Sequence, residues 1–288
     1  MKDRIVEGVY KLHAPQAPLV PAVFDSPHSG LHMPDEWRCM QTPEVMRGSG
    51  VDNFIDEIFQ DVPKFGAPLL EALYHRAFID PNRSAEEIDL ALLDAPWPGP
   101  IVKTAQAERG RGVVWRTSTP SLTLYDRKLS VKEMQTRIAT YWQPYQDTMK
   151  ELMDNAHARF GVAYHLDCHS NRAHGTADGP DAGQLRPEME LGTLDGKAAS
   201  ADYIRFVKET LEQLGYQVVV DGFHKGQHLV KAYGAPAQGR HSIMLEIRKD
   251  MYMDQPTLTR NARFDECRTK MAKLAEAICS YAKSHAKG

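Results

Sequence analysis

The sequence predicts an α/β fold, a sandwich built on a largely parallel sheet, and three observations carry that expectation. Short apolar runs of strand length alternate with stretches of helical periodicity. The segments between many of those runs are long enough to be crossovers, which favours parallel neighbours with right-handed connections. Polar, chemically capable side chains cluster where the apolar runs end, the edge at which open α/β sheets present ligands.

The elements follow in order. Residues 21–25 (PAVFD) form a short apolar run that ends on Ser26-Pro27-His28-Ser29-Gly30. Residues 51–62 place Val51, Phe54, Ile55, Ile58 and Phe59 at helical spacing. Residues 67–74 and 77–80 read as strands, and 85–121, rich in proline and glycine, as long loops. Ser130-Val-Lys-Glu133 offers a capping box. Behind it Met134, Ile138, Tyr141, Tyr145, Met149 and Leu152 fill one helical face, which Pro144 is expected to kink or split. After Gly161 comes the strand 162–167 (VAYHLD), then a polar, glycine-rich loop at 171–196. An amphipathic helix at 200–215 ends on Gly215, a suitable C-terminal cap. Strands at 216–222 and 242–248 precede a last helix, with Phe264, Cys267, Met271, Leu274 and Ile278 on one side. No repeat or change of composition divides the chain, so residues 1–288 are expected to form a single domain.

Bulk composition narrows the function. The chain has 288 residues, 42% hydrophobic and 25% charged, with a net charge of -3. The absence of a basic excess argues against nucleic acid as a partner. No apolar run reaches the roughly 20 residues that span a bilayer, so no membrane partner is expected. The N-terminal stretch lacks the apolar core of a signal peptide, and the four cysteines form no CxxC pair. These features suggest a cytoplasmic protein with free thiols.

The stretch AYHLDCHSNR (163–172) raises the chemical question, because an apolar strand there runs into Asp167, Cys168, His169 and Ser170. His28 and His169 both follow apolar runs, and Asp52 or Asp56 supplies a nearby acid. Two imidazoles and one carboxylate form a common catalytic zinc set that leaves a position open. No local signature such as HExxH supports it, so the ligands must meet through the fold. Glu246 stands in an otherwise apolar strand, and a lone buried carboxylate costs several kcal/mol unless it is paired or bound. It is therefore either a proton-moving base or the partner of Arg248, two residues on and on the same strand face. Cys168 is a nucleophile or a small core residue. Ser26, Ser29 and Ser170 carry hydroxyls with no evident triad. GxSxG, P-loop and GxGxxG motifs are absent.

SPHSG (26–30), VDNFIDEIF (51–59), HRAFIDPNRS (75–84), HLDCHS (165–170), ELGTLDGKAAS (190–200) and SIMLEIRKDMYM (242–253) occur in that order. Together they resemble the N-formylglutamate amidohydrolase family, related in fold to zinc carboxypeptidases and aspartoacylases. The resemblance runs from about Phe24 to Ile278. It implies a three-layer sandwich around a mixed, mostly parallel sheet of the phosphorylase/hydrolase-like (zinc carboxypeptidase-like) kind. It implies one zinc ion per chain, held by His28, Asp52 and His169, with Asp56 as the other candidate acid. Carboxypeptidases place a glutamate ligand three residues after the first histidine; here that residue is Leu31. Glu246 resembles the general base, and Asn82-Arg83 resembles the pair that grips a substrate carboxylate. Arg76 is expected to support the oxyanion, Asp167 to support His169, and Cys168 to belong to the core. The implied reaction is hydrolysis of a small N-acyl amino acid, foremost N-formyl-L-glutamate to formate and glutamate. A metallocarboxypeptidase, an aspartoacylase-like deacylase on another substrate and a non-catalytic binding relative remain as alternatives. All of these metal-based readings require the imidazoles of His28 and His169 to lie within about 8 Å of each other, since metal–ligand bonds are roughly 2 Å.

Overall fold

A computed structural model describes every residue except Pro120, Asp178, Pro180 and Gly288. Eight strands make one sheet: β1 (Arg4–Val6), β2 (Tyr10–His13), β3 (Ala22–Ser26), β4 (Leu69–Ala72), β5 (Ala163–Asn171), β6 (Met189–Gly192), β7 (Val218–Val220) and β8 (Arg240–Arg248). Their order is β1-β2-β4-β3-β5-β8-β6-β7. The central four, β4, β3, β5 and β8, are parallel to one another. β2 and β6 flank them antiparallel. The expected mixed, mostly parallel α/β sheet is what the chain forms.

The pleat explains how β5 holds apolar and polar residues together. Successive side chains point to opposite faces. Tyr164, Leu166 and Cys168 join the core formed with α1 (Ile55–Phe59), α4 (Ala201–Gln213) and α6 (Phe264–Ser284). Ala163, with Val23 and Leu70, faces the second core under α3 (Gln143–Phe160) and α5 (His228–Tyr233). His165, Asp167, His169 and Asn171 share that second face, all buried. Helices thus cover both sides of the sheet. No described helix is long and apolar enough to cross a membrane.

Ser130 caps α2 (Val131–Arg137) with the full capping box to Glu133. Pro144 does not split the long helix. A π turn at Ile138–Trp142 carries α2 into α3 instead. Proline cannot donate an N–H and crowds the carbonyl four residues back, and a wider turn relieves both.

Several expectations are corrected. Residues 77–80 form no strand but a buried turn: Phe78 N–H bonds to His75 O at 2.9 Å and Asp80 N–H to Val113 O at 2.7 Å. The polar loop 171–196 contains β6, and β1 and β2 were not anticipated. β5 continues to Asn171, so His169 lies within the strand rather than after it. The helix expected at 51–62 is confined to 55–59.

Candidate active site

The loop after β3 is tied to the approach to α1. Asp52 N–H donates to His28 O at 2.9 Å. Ser29 Oγ donates to Asp52 O at 3.1 Å and accepts Asp56 N–H at 3.2 Å. Gly30 permits the crossing: a Cβ there would lie 2.4 Å from the Leu73 carbonyl carbon. Phe54, with φ of 67°, adopts a left-handed conformation that is rare for a bulky residue. Edge-on packing against Phe264 helps hold it.

Three ligand-type atoms converge between these loops and β5. His28 Nδ1 and His169 Nδ1 are 3.0 Å apart. Asp52 Oδ2 is 3.0 Å from His169 Nδ1 and 3.5 Å from His28 Nδ1. The ring centroids are 4.6 Å apart, well inside the required limit. Ser170 Oγ holds the other Asp52 oxygen at 3.3 Å. The outer ring nitrogens also meet carboxylates: His28 Nε2 lies 2.8 Å from Asp80 Oδ1, and His169 Nε2 lies 2.6 Å from Asp167 Oδ1.

A cation held by both Nδ1 atoms would leave each Nε2 free to carry a hydrogen toward its carboxylate, and Asn82 Nδ2 also lies 2.9 Å from His169 Nε2. Two imidazole nitrogens and a carboxylate oxygen face one another in a buried space, an arrangement that a cation relieves. Two nitrogens and one oxygen suit zinc and other borderline divalent ions. Carboxylates on the outer nitrogens fix ring orientation and raise ligand basicity, as in established metal sites. The donor set therefore fits a metal. Without one, a proton takes that place. Burial disfavours a charged His169, yet Asp167 and Asp52 hold it well above the usual imidazole range. Burial alone would raise Asp52, but His169 and His28 keep its carboxyl well below its usual value.

Asp56, the other candidate acid, is not part of this group. Burial, with repulsion from Glu71, raises its carboxyl to about 6.

A cavity of about 330 Å³ opens over the triad and includes Glu246, Arg76, Arg83, Asn171 and Lys249 in its lining. Glu246 lies in register with His169 on one side and Glu190 on the other. Its Oε2 is buried with no hydrogen-bond partner among the described residues, and burial raises its carboxyl. The Arg248 pairing is not formed: Arg248 Nε donates to Asp250 at 2.7 Å and Nη1 to Arg186 O at 2.8 Å. Arg76 reaches Asp80 through Nε at 3.1 Å and Nη2 at 2.8 Å. Arg83 is buried, and its contacts to Arg111 O and Asn82 O are both long at 3.4 Å. Asn82 lies outside the lining. Its Nδ2 donates to Asp167 at 2.9 Å and its Oδ1 accepts Leu229 N–H at 2.9 Å. Both ends of its amide are thus bonded within the protein, where the sequence expectation had it grip substrate. Cys168 is fully buried, and burial pushes its thiol well up, which suits a core residue and not a nucleophile.

Sequence reasoning missed Asp80, Asn171 and the Glu190–His224 pair, in which His224 Nδ1 lies 2.7 Å from Glu190 Oε2. Asp80 precedes Pro81-Asn82-Arg83, and its acid among apolar neighbours was the available signal. It also missed a second cluster: Ser242 Oγ is 2.8 Å from His165 Nδ1, and His165 Nε2 is 2.8 Å from Asp25 Oδ1.

A sequence profile described as N-formylglutamate amidohydrolase matches residues 20–253. An N-formylglutamate deformylase of Pseudomonas putida is 28% identical over 241 residues, covering 82% of this chain and 83% of that protein. Another, from Pseudomonas aeruginosa, is 28% identical over 269 residues, covering 91% and 94%. A crystal structure of N-formylglutamate amidohydrolase from Ralstonia eutropha matches with a TM-score of 0.91 and 33% identity, covering 96% of this chain and 99% of that one.

Proposed function

The chain belongs to the N-formylglutamate amidohydrolase family, and from that premise we propose that it hydrolyses the amide of N-formyl-L-glutamate to formate and glutamate, with one zinc ion per chain as cofactor. His28, Asp52 and His169 would hold the ion. When bound, it supplies Lewis acidity, which makes water a nucleophile at neutral pH and draws electron density from the formyl carbonyl.

The remaining work falls to the chain's own residues. Glu246 accepts a proton from the attacking water and delivers it to the nitrogen of the cleaved C–N bond. A carboxyl raised by burial is suited to both steps, because proton transfer is most efficient when the group's pKa nears the working pH. Arg76, fixed by Asp80, presents positive charge toward the developing oxyanion. Arg83 receives a substrate carboxylate; among the described residues this buried guanidinium makes only long carbonyl contacts. Asp80, Asp167 and Asn82 hold the two imidazoles in place.

The observation that supports this reading best is the meeting of the two Nδ1 atoms and Asp52 beside a Glu246 oxygen with no hydrogen-bond partner among the described residues. Formate release from N-formyl-L-glutamate tests it, comparing the parent with Glu246→Gln. Loss of proton transfer should lower kcat by about 10²- to 10⁴-fold while the metal is retained. A variant as active as the parent would falsify the mechanism.

A further inference from the structure

N-Formyl-glutamate carries two carboxylates, and Arg83 accounts for one. We propose that Asn171 and Lys249 form a second carboxylate subsite that reads the side-chain carboxylate of the substrate. The inference rests on the amide-hydrolase reading above and assigns the residues that would recognise that second carboxylate.

Asn171 is the last residue of β5, on the same face as His169 and two residues beyond it. It lines the cavity and is only 5% exposed, yet neither Nδ2 nor Oδ1 has a partner among the described residues. A buried amide in that state carries a desolvation cost with nothing to offset it, and a ligand in the cavity would complete it. Asn82 makes the contrast, since the protein itself uses both ends of that amide.

β8 brings a cation to the same edge. Arg248 is in register with Asn171, and Lys249 follows it into the cavity wall. Lys249 Nζ donates to Val51 O. An ammonium has three donors, and no carboxylate lies within ion-pair distance of this one among the described residues. Lys249 and Arg83 both line this cavity, Lys249 tied to Val51 O and Arg83 to Arg111 O and Asn82 O. A ligand with acid groups at both ends satisfies both, whereas a neutral side chain leaves Lys249 and Asn171 unmatched. A site built to bind a charged group rejects the analogue that lacks it.

The experiment compares kcat/KM for N-formyl-L-glutamate and N-formyl-L-glutamine, which differ in one carboxylate, using the zinc-loaded parent, Lys249→Met and Asn171→Leu. The parent should favour the glutamate compound by roughly 10- to 100-fold, the range expected for charge-assisted hydrogen bonds. In Lys249→Met the ratio should fall to within about threefold of one, chiefly through KM for the glutamate compound. Asn171→Leu should reduce the ratio as well, and it decides the matter if Lys249→Met does not fold. A parent that hydrolyses both compounds equally overturns the subsite and leaves the amide-hydrolase reading intact. So do variants that keep the parent's ratio, or that lose both activities equally through kcat. A parent inactive on both compounds overturns the reading of the site itself, and this inference with it.

Discussion

Two buried polar clusters lie on one face of one sheet, toward opposite ends of β5, and they differ in what they leave unsatisfied. Toward the N-terminal end, Asp25, His165 and Ser242 have the connectivity of a nucleophilic triad, and Tyr145 donates to Asp25 at 2.7 Å. All four are fully buried and none lines the cavity. Their hydrogen bonds close on one another, so this cluster belongs to the packing between the sheet and α3. Toward the other end, two imidazole nitrogens and Asp52 meet at a common space, while Glu246 and Asn171 keep atoms unpaired among the described residues. Residue types alone would have favoured the first cluster as a catalytic centre. Unmet hydrogen-bonding capacity beside a cavity distinguishes the second.

The largest effect should come from opening the closed cluster. Asp25→Ala removes the acceptor of His165 Nε2 and of the Tyr145 hydroxyl in the core and should cost about 3–5 kcal/mol in urea-unfolding free energy. Metal bound per folded chain should not change. A loss below about 1 kcal/mol, or metal lost in parallel, would show that the two clusters are not separate.

Next comes Asp56, a carboxyl beside the metal loop that belongs to neither cluster. Its value in the fold, about 6, lies above the ordinary 3.8, so the folded chain binds this proton more tightly than the unfolded chain does. That contribution is complete below pH 3.8 and is lost as the pH rises through 6. Asp56→Asn should therefore add about 2–3 kcal/mol of stability at pH 8 and almost nothing near pH 3.5. Equal gains at both pH values would exclude Asp56 titration as the cause.

Asp80→Asn should have the smallest effect. It weakens the support on His28 without removing a ligand, and should lower metal affinity by about 10- to 100-fold in a competition titration with a chelator. Unchanged affinity would mean that Asp80 serves Arg76 alone.

The sequence made the alternation in β5 legible because the pleat forces it: Tyr164, Leu166 and Cys168 could only share one face, and His165, Asp167 and His169 the other. The caps were legible as well, since Ser130 and Glu133 act within one turn. The turn at 77–80 was not. Ala77, Phe78 and Ile79 are buried as completely as strand residues, and apolarity alone does not distinguish a buried turn from a strand. β6 was hidden because Met189–Gly192 is only four residues long and lies beside glycine-rich chain. Asp80 on His28 and Glu190 beside Glu246 are contacts made across the fold, and no local spacing encodes them.

The central claim is that His28, Asp52 and His169 together hold a divalent ion. Metal analysis of zinc-loaded, dialysed protein tests it most directly, comparing the parent with His169→Ala and with Ser242→Ala from the closed cluster. The account predicts about one ion per chain in the parent and in Ser242→Ala, and less than about a tenth of that in His169→Ala. Equal metal in the parent and in His169→Ala would contradict it.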